Sequence, residues 1–355
     1  CVFFLVEQYH FPPCFTACFI LHSLGFSIFH KFHFPPHFKS STMSTVIGSL
    51  NYDLVSYTTR VPEGGETAQA DEFEKHIGGK GLNEAIACAR LSGPRVPVRL
   101  VGNVGNDMFG KELLEALKKS GVITEYVKTI DGVSSGVAVI IVESNGENRI
   151  LITAGANGLL KPTEVEYKTY FMENSNENIL EFVVLQNEYP HTTESIKWIK
   201  NNRPHINIAY NPSPFKPELI TTETLQNIDL LIVNEGEAAE VAAKLGYTAS
   251  GEDLVERSKK LAEKLLDQLN PANCKTVIIT LGSKGSVYTA KDHPTPEFIP
   301  AKKVEHVVDT TGAGDTFFGA VVLQLVAGNE VNEAIKYATV ASSVAIQKKD
   351  RKSVG

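Results

Sequence analysis

Short runs of β-branched residues recur along this chain with helix-period segments between them, and that alternation constrains the fold more than any other feature. VIGSL (46–50), FVVL (182–185), LLIV (230–233) and TVIITL (276–281) are continuous apolar runs with the length of buried strands. Helical patterns cover 81–91, 107–119, 237–245, 253–269, 315–326 and 331–347. Strands separated by helices of this length predict crossover units, hence an α/β fold with a mainly parallel central sheet and helices on both faces. Two segments break the rhythm. VAVIIVESNGENRILIT (137–153) places Asn145-Gly146 between two strand-like runs, a hairpin signal, while 55–77 is polar, Gly-rich and strand-like at best. Together they predict a small β-sheet lid built from about 55–77 and 133–153.

Composition narrows the partners. At 355 residues and 43% hydrophobic, the chain can bury a substantial core. A net charge of -7 with scattered Lys and Arg offers no basic stripe for a phosphate backbone, so no nucleic acid is expected. Of five cysteines, three fall in the first eighteen residues, leaving Cys88 and Cys274 without any spacing suited to zinc or a disulfide framework. A reducing compartment is expected, the cytoplasm first and the nucleus second. Residues 1–42 differ from the remainder: they are dense in Phe and His, carry two Pro-Pro pairs and precede the first methionine, Met43. The expectation is a non-native, unstructured upstream extension over 1–42 and the folded domain over 43–355. An anchor competes with this reading, but the apolar run 14–29 contains His22 and falls short of the roughly 20 residues a spanning helix needs, so no membrane partner is expected.

The segment DTTGAGDTF (309–317) surrounds one carboxylate with small residues and leads into an apolar helix. Gly312, Ala313 and Gly314 let consecutive N–H groups turn toward one point, and the helix start beside them favours negative charge. Asp315 at such an anion site either caps the helix or takes a proton from a group that attacks the bound anion. The paired glycines favour catalysis, since a cap needs neither. GNDMFGKE (105–112) has P-loop glycine and lysine spacing but ends in Glu112 where a Mg²⁺-binding hydroxyl is required, which excludes a P-loop and leaves Lys111 as a solvated helix residue.

Weaker signals flank these. IGGKGLNEA (77–85) is either an ordinary loop before a helix or a backbone approach to ligand in which Lys80 is a point charge and Asn83 a fixed polar group. Asn51 and Asp53, just past the first strand, either form a turn or grip adjacent hydroxyls. Asn234 and Glu237 in NEGEAAE follow a buried strand, where open α/β sheets bind ligands; they either cap a helix or position waters on Mg²⁺. TLGSKGS (280–286) is a nucleotide-lining loop or a tight hairpin into SVYT, with equal support.

These pieces, in this order, resemble the ribokinase-like family of carbohydrate kinases from about Met43 to Ile346. VIGSLNYDLV, GGET (64–67), GGKGLNEA, GNDMFG, LQNEYP, YNPSP, NEGEAAE, TLGSKG and DTTGAGDTFFGA carry the resemblance. It implies ATP-dependent phosphorylation of D-ribose at its primary hydroxyl, with a related sugar or nucleoside kinase as the alternative and a non-catalytic sugar-binding regulator as the second. By resemblance, Asp315 is the general base and the backbone of Gly312, Ala313 and Gly314 the anion hole. Asn51, Asp53, Gly78, Gly79, Lys80, Asn83 and Glu188 would hold the sugar. Asn234 and Glu237 would organise Mg²⁺ through water, with Thr280, Gly282, Gly285 and Gly314 bordering ATP and Thr339 near adenine. Asp309 and Thr311 match two positions of the monovalent-cation site, usually K⁺, and the lid is implied to form a homodimer contact. Past Ile346 the sequence departs from the family pattern, which has a glycine near Asp350 and a Ser-containing loop whose carbonyls help hold the cation.

Overall fold

The computed structural model describes residues 43–92, 96–172, 180–251 and 253–347. The expected extension at 1–42 and the departure from the family pattern over 348–355 lie outside the described residues. Seven strands form the parallel part of a nine-stranded sheet: β1 (Met43–Ile47), β4 (Val98–Gly105), β5 (Val127–Ile130), β8 (Glu181–Gln186), β9 (Asn207–Asn211), β10 (Leu230–Asn234) and β11 (Thr276–Thr280). Their order is β5-β4-β1-β8-β9-β10-β11, and β12 (Gly285–Ala290) and β13 (His293–Pro300) extend that last edge antiparallel. A separate four-stranded sheet, ordered β3-β2-β6-β7, contains β2 (Asn51–Thr58), β3 (Glu72–Gly78), β6 (Gly136–Glu143) and β7 (Asn148–Thr153). Asn145-Gly146 does turn the β6–β7 hairpin, with Gly146 at φ 87°.

Alternation along each strand explains why the runs are apolar throughout. Val46, Val184, Ile232 and Ile278 point into one core, whereas Ile47, Val183, Leu185, Leu231, Val233, Val277 and Ile279 point into the other. The first core is closed by α1 (Lys80–Ser92), α2 (Met108–Lys119), α8 (Ala313–Val326) and α9 (Val331–Ala345). The second lies under α3 (Glu164–Tyr170), α4 (Thr192–Asn202), α5 (Thr222–Leu225), α6 (Glu235–Lys244) and α7 (Leu254–Leu266). From Thr316 to Val326 every residue of α8 is buried, which is why its sequence is apolar on all sides.

Several boundaries differ from expectation for physical reasons. The first strand spans 43–47 rather than 46–50, because the chain leaves the sheet at Gly48, where a Cβ would stand 2.7 Å from the Gly81 Cα. The small sheet begins at Asn51 rather than near 55, so Asn51 and Asp53 belong to a strand and not to a turn. The P-loop-like segment proves to be a tether: Asp107 caps α2 through the Gly110 N–H at 2.7 Å and accepts the Ser135 N–H and hydroxyl, also at 2.7 Å. Burial of Asp107 opposes ionisation, yet those bonds outweigh it and hold its pKa below the ordinary value. Lys111 is exposed, as expected.

Candidate active site

The carboxyl ends of the parallel strands meet the first turns of α1 and α8, and the segment between β1 and β2 runs through this meeting point. Residues 48–50 lie outside both sheets, so their backbone needs other partners. Asn157 supplies them: its Oδ1 accepts the Leu50 N–H at 2.9 Å, and its Nδ2 donates to the Leu50 carbonyl at 2.9 Å and to Asn51 Oδ1 at 2.8 Å. Asn51 is thus fixed in orientation. Glu188, two residues past β8, accepts the Lys80 N–H at 2.9 Å and the Ser49 hydroxyl through one oxygen, Oε2. Gly79, at φ 90°, lets the chain pass 2.7 Å from the Asn51 nitrogen as measured from its would-be Cβ, a space no side chain could share. A Cβ on Gly78 would stand 2.4 Å from Asp53 Oδ2, so Gly78 leaves room for that carboxylate. Asn51, Asp53, Gly78, Gly79, Lys80 and Glu188 therefore cluster around one junction.

Asp315 closes the cluster from the other helix. The N-cap of α8 is Gly312, in the left-handed region at φ 73° and with no side-chain cap, so Asp315 sits in the first helical turn and does not cap it. Asn83 Nδ2 donates to Asp315 Oδ2 at 2.8 Å and Lys80 Nζ lies 3.6 Å from Oδ1, leaving the Asp315 side chain 14% exposed. The Gly314 and Asp315 N–H groups take no acceptor among the described residues, whereas the Ala313 N–H turns back to the Thr310 carbonyl at 3.2 Å. Burial favours the neutral form of Lys80, but the nearby negative charge, that of Asp315 first, outweighs it and raises its pKa above the ordinary value. Lys80 is a permanent cation between the two groups of expected ligands.

Asn234 and Thr280, expected near the nucleotide, end adjacent strands and pair in register. Asn234 and Glu237 form a reciprocal capping box on α6, at 2.8 and 3.0 Å, so the capping reading holds. Glu237 Oε2 also accepts from Asn211 Nδ2 at 3.2 Å. The glycines of 282–285 serve a hairpin, since Gly282 and Gly285 both have positive φ and the Leu281 N–H reaches the Gly285 carbonyl at 2.8 Å. Thr339, on α9, bonds back to the Ile335 carbonyl at 2.9 Å and touches none of the other expected ligands through a hydrogen bond. Ser342, one turn on, reaches the Ala313 carbonyl at 3.3 Å and ties α9 to the glycine loop. Asp309 Oδ1 accepts both the N–H and the hydroxyl of Thr311, at 2.8 and 2.6 Å, making one tight turn beside that loop.

Residues 41–353 match the pfkB family of carbohydrate kinases. The chain belongs to that family. Among its relatives, ribokinase from Schizosaccharomyces pombe is 36% identical over 307 residues, covering 86% of this chain and 92% of the relative. Ribokinase from Lactococcus lactis is 38% identical over 309 residues, covering 86% and 91%. The structure of Arabidopsis thaliana ribokinase complexed with ribose and ATP superposes with a TM-score of 0.74 at 30% identity, covering 89% of this chain and 97% of that one. Membership in a carbohydrate kinase family agrees with a carboxylate beside unpaired N–H groups. Asn157, Ser49, Asn211 and Ser342, which frame the site, went unread in the sequence because their partners are distant along the chain.

Proposed function

We propose that this chain is an ATP-dependent D-ribose kinase that makes D-ribose 5-phosphate and ADP. The observation that carries the proposal is Asp315, oriented by Asn83 and Lys80 and set in the first turn of a helix where the Gly314 and Asp315 N–H groups take no acceptor among the described residues. In this reading Asp315 takes the proton of the primary hydroxyl as that oxygen attacks the γ-phosphate of ATP. The Gly312–Gly314 backbone receives the charge that develops on the transferring phosphoryl group. Asn51, Asp53 and Glu188 orient the sugar hydroxyls, and Lys80 balances the charge that gathers between acceptor and phosphate. Thr280, Gly282 and Gly285 border ATP.

Glu237 suits Mg²⁺ bound through water: Oε2 is committed to Asn234 and Asn211, leaving Oε1 for a metal-bound water, and Mg²⁺ keeps several waters when it binds. Bound there with the phosphates, Mg²⁺ would neutralise their charge. The turn from Asp309 to Thr311 gathers hard oxygen donors beside the anion loop, as a K⁺ site requires. The small sheet acts as a lid that excludes water from the phosphoryl group. Its edge strand β7 is exposed along its whole length, including Ile150, Leu151 and Ile152, which supports a second copy of this chain as its partner.

The test is sugar-dependent ADP release with MgATP and KCl. D-ribose should support turnover; turnover only with fructose or a nucleoside would reassign the acceptor, and no release with any of them would refute the kinase.

A further inference from the structure

Glu84 lies one residue past Asn83, on the face of α1 turned toward the sheet. It is 1% exposed, and the Gln186 side chain that meets it is wholly buried. Gln186 Nε2 donates to Glu84 Oε2. The remaining oxygens, Glu84 Oε1 and Gln186 Oε1, are both buried without a hydrogen-bond partner. Two buried acceptors left over from one contact are costly, and a carboxylate owns no donor that could serve the amide oxygen. One proton resolves both deficits. A carboxylic acid and a primary amide form a two-bond pair, amide N–H to acid C=O and acid O–H to amide C=O.

We propose that Glu84 is a positioning residue that works as a neutral acid, pairing twice with Gln186 to lock α1 onto the end of β8 so that Lys80 and Asn83 hold Asp315. The neighbourhood enforces this state. Asp315 faces it from α8, Glu188 from the segment after β8, and Lys80 and Cys88 stand on its own helix. Burial, then the Asp315 charge, push its pKa well above the carboxylate range, and the Lys80 cation and the Gln186 N–H bond only partly offset them. β1 has no ionisable side chain, and Arg99, the one charged residue of β4, is paired with Glu181. On α2, Lys111, Glu115, Lys118 and Lys119 are exposed and Glu112 is bound by the Tyr52 hydroxyl. The α1–α8 contact transmits the placement closely, because a Cβ on Gly319 would come within 3.1 Å of the Glu84 carbonyl oxygen. Ionisation of Glu84 would break one bond of the pair and set a second negative charge beside Asp315, drawing Lys80 away from it.

The kinetic part of this inference rests on the kinase reading; the protonation part does not. Infrared difference spectra of wild type against Glu84→Gln at neutral pH should show the carbonyl band of one protonated carboxylic acid in the wild type, cancelling the contributions of Glu181 and Asp229, which are also raised by burial. No such band overturns the proposal. Glu84→Ala should lower kcat with D-ribose on the order of tenfold to a hundredfold, as expected when a catalytic group is displaced. Glu84→Gln, which keeps the shape of the neutral acid, should restore turnover and remove any alkaline decline attributable to this group. A Glu84→Gln enzyme as impaired as Glu84→Ala, or a Glu84→Ala enzyme as fast as wild type, overturns the positioning role. If the wild type releases no ADP with any sugar, the kinase reading fails and the infrared band alone decides the state of Glu84.

Discussion

Replacing Asn157 with Ala tests whether the Leu50–Asn51 end of the site is held by one buried amide. Asn157 is 1% exposed, and its side chain satisfies the Leu50 N–H and carbonyl and Asn51 Oδ1, at 2.9, 2.9 and 2.8 Å. None of these three groups has a sheet partner in its place, because Leu50 lies between β1 and β2. Each buried group stripped of its partner costs about 1–3 kcal/mol, and water entering the vacated space recovers part of that, so a total loss of about 3–5 kcal/mol is expected. The variant should reach its urea midpoint earlier with the slope unchanged. Asn51 also loses its orientation, so KM for D-ribose should rise about tenfold, the equivalent of about 1.4 kcal/mol. Asn157→Asp keeps an acceptor for the Leu50 N–H but turns an acceptor toward the Leu50 carbonyl and Asn51 Oδ1, and should be worse than Ala. A stability loss below about 1 kcal/mol, the ordinary cost of an average substitution, together with an unchanged KM would refute the reasoning.

Other outcomes follow from the same geometry. Asp315→Asn should bind D-ribose by calorimetry yet lose about 10²- to 10⁴-fold in kcat, and near-normal turnover would rule out a general base at this position. Gly79→Ala should destabilise by about 1–3 kcal/mol in urea, since φ 90° and a Cβ 2.7 Å from the Asn51 nitrogen leave it no relaxed state; wild-type stability would contradict the close approach. Glu84 has a folded pKa raised above its unfolded value, so it is protonated in the fold after the unfolded chain has ionised, and stability falls as pH rises between the two values. The slope from this one group is at most about 1.4 kcal/mol per pH unit. Glu84→Gln removes that slope, so its advantage over wild type should grow from about pH 5 upward, and an advantage independent of pH would sink the assignment.

The parts of this site that sequence makes readable are those where backbone does the work. Gly312 and Gly79 both adopt positive φ at the junction that gathers Lys80, Asn83 and Asp315, and glycine clusters advertise such positions wherever they occur. The same signal misleads at Gly105 and Gly110, where close packing against Ser135 requires the glycines and no phosphate is involved. Asn157 and Gln186 left no trace because their partners lie 107 and 102 residues away, and a buried amide has no local pattern. β4 escaped for a related reason: VRLVGNVG is buried throughout, but its glycines and Asn103 break the apolar run, and Asn103 is accommodated by donating to the Ala156 carbonyl at 3.2 Å. The 280–286 loop shows a limit of another kind, since a hairpin and a nucleotide border ask for the same glycines.

The bond between Asn83 and Asp315 spans 232 residues, and every strand of both sheets precedes α8 in the chain. During synthesis the complete β framework, with its junction of Asn51, Lys80 and Glu188, is made before Asp315. Until α8 and α9 emerge, the sheet face they cover, including Val46, Val184 and Ile232, stays exposed. A chain ended near Pro300 would therefore hold that junction without Asp315 and with this apolar face uncovered, an adhesive state suited to chaperones. Docking of the last two helices covers that face and sets Asp315 against Asn83, so burial of the core and completion of this contact go together.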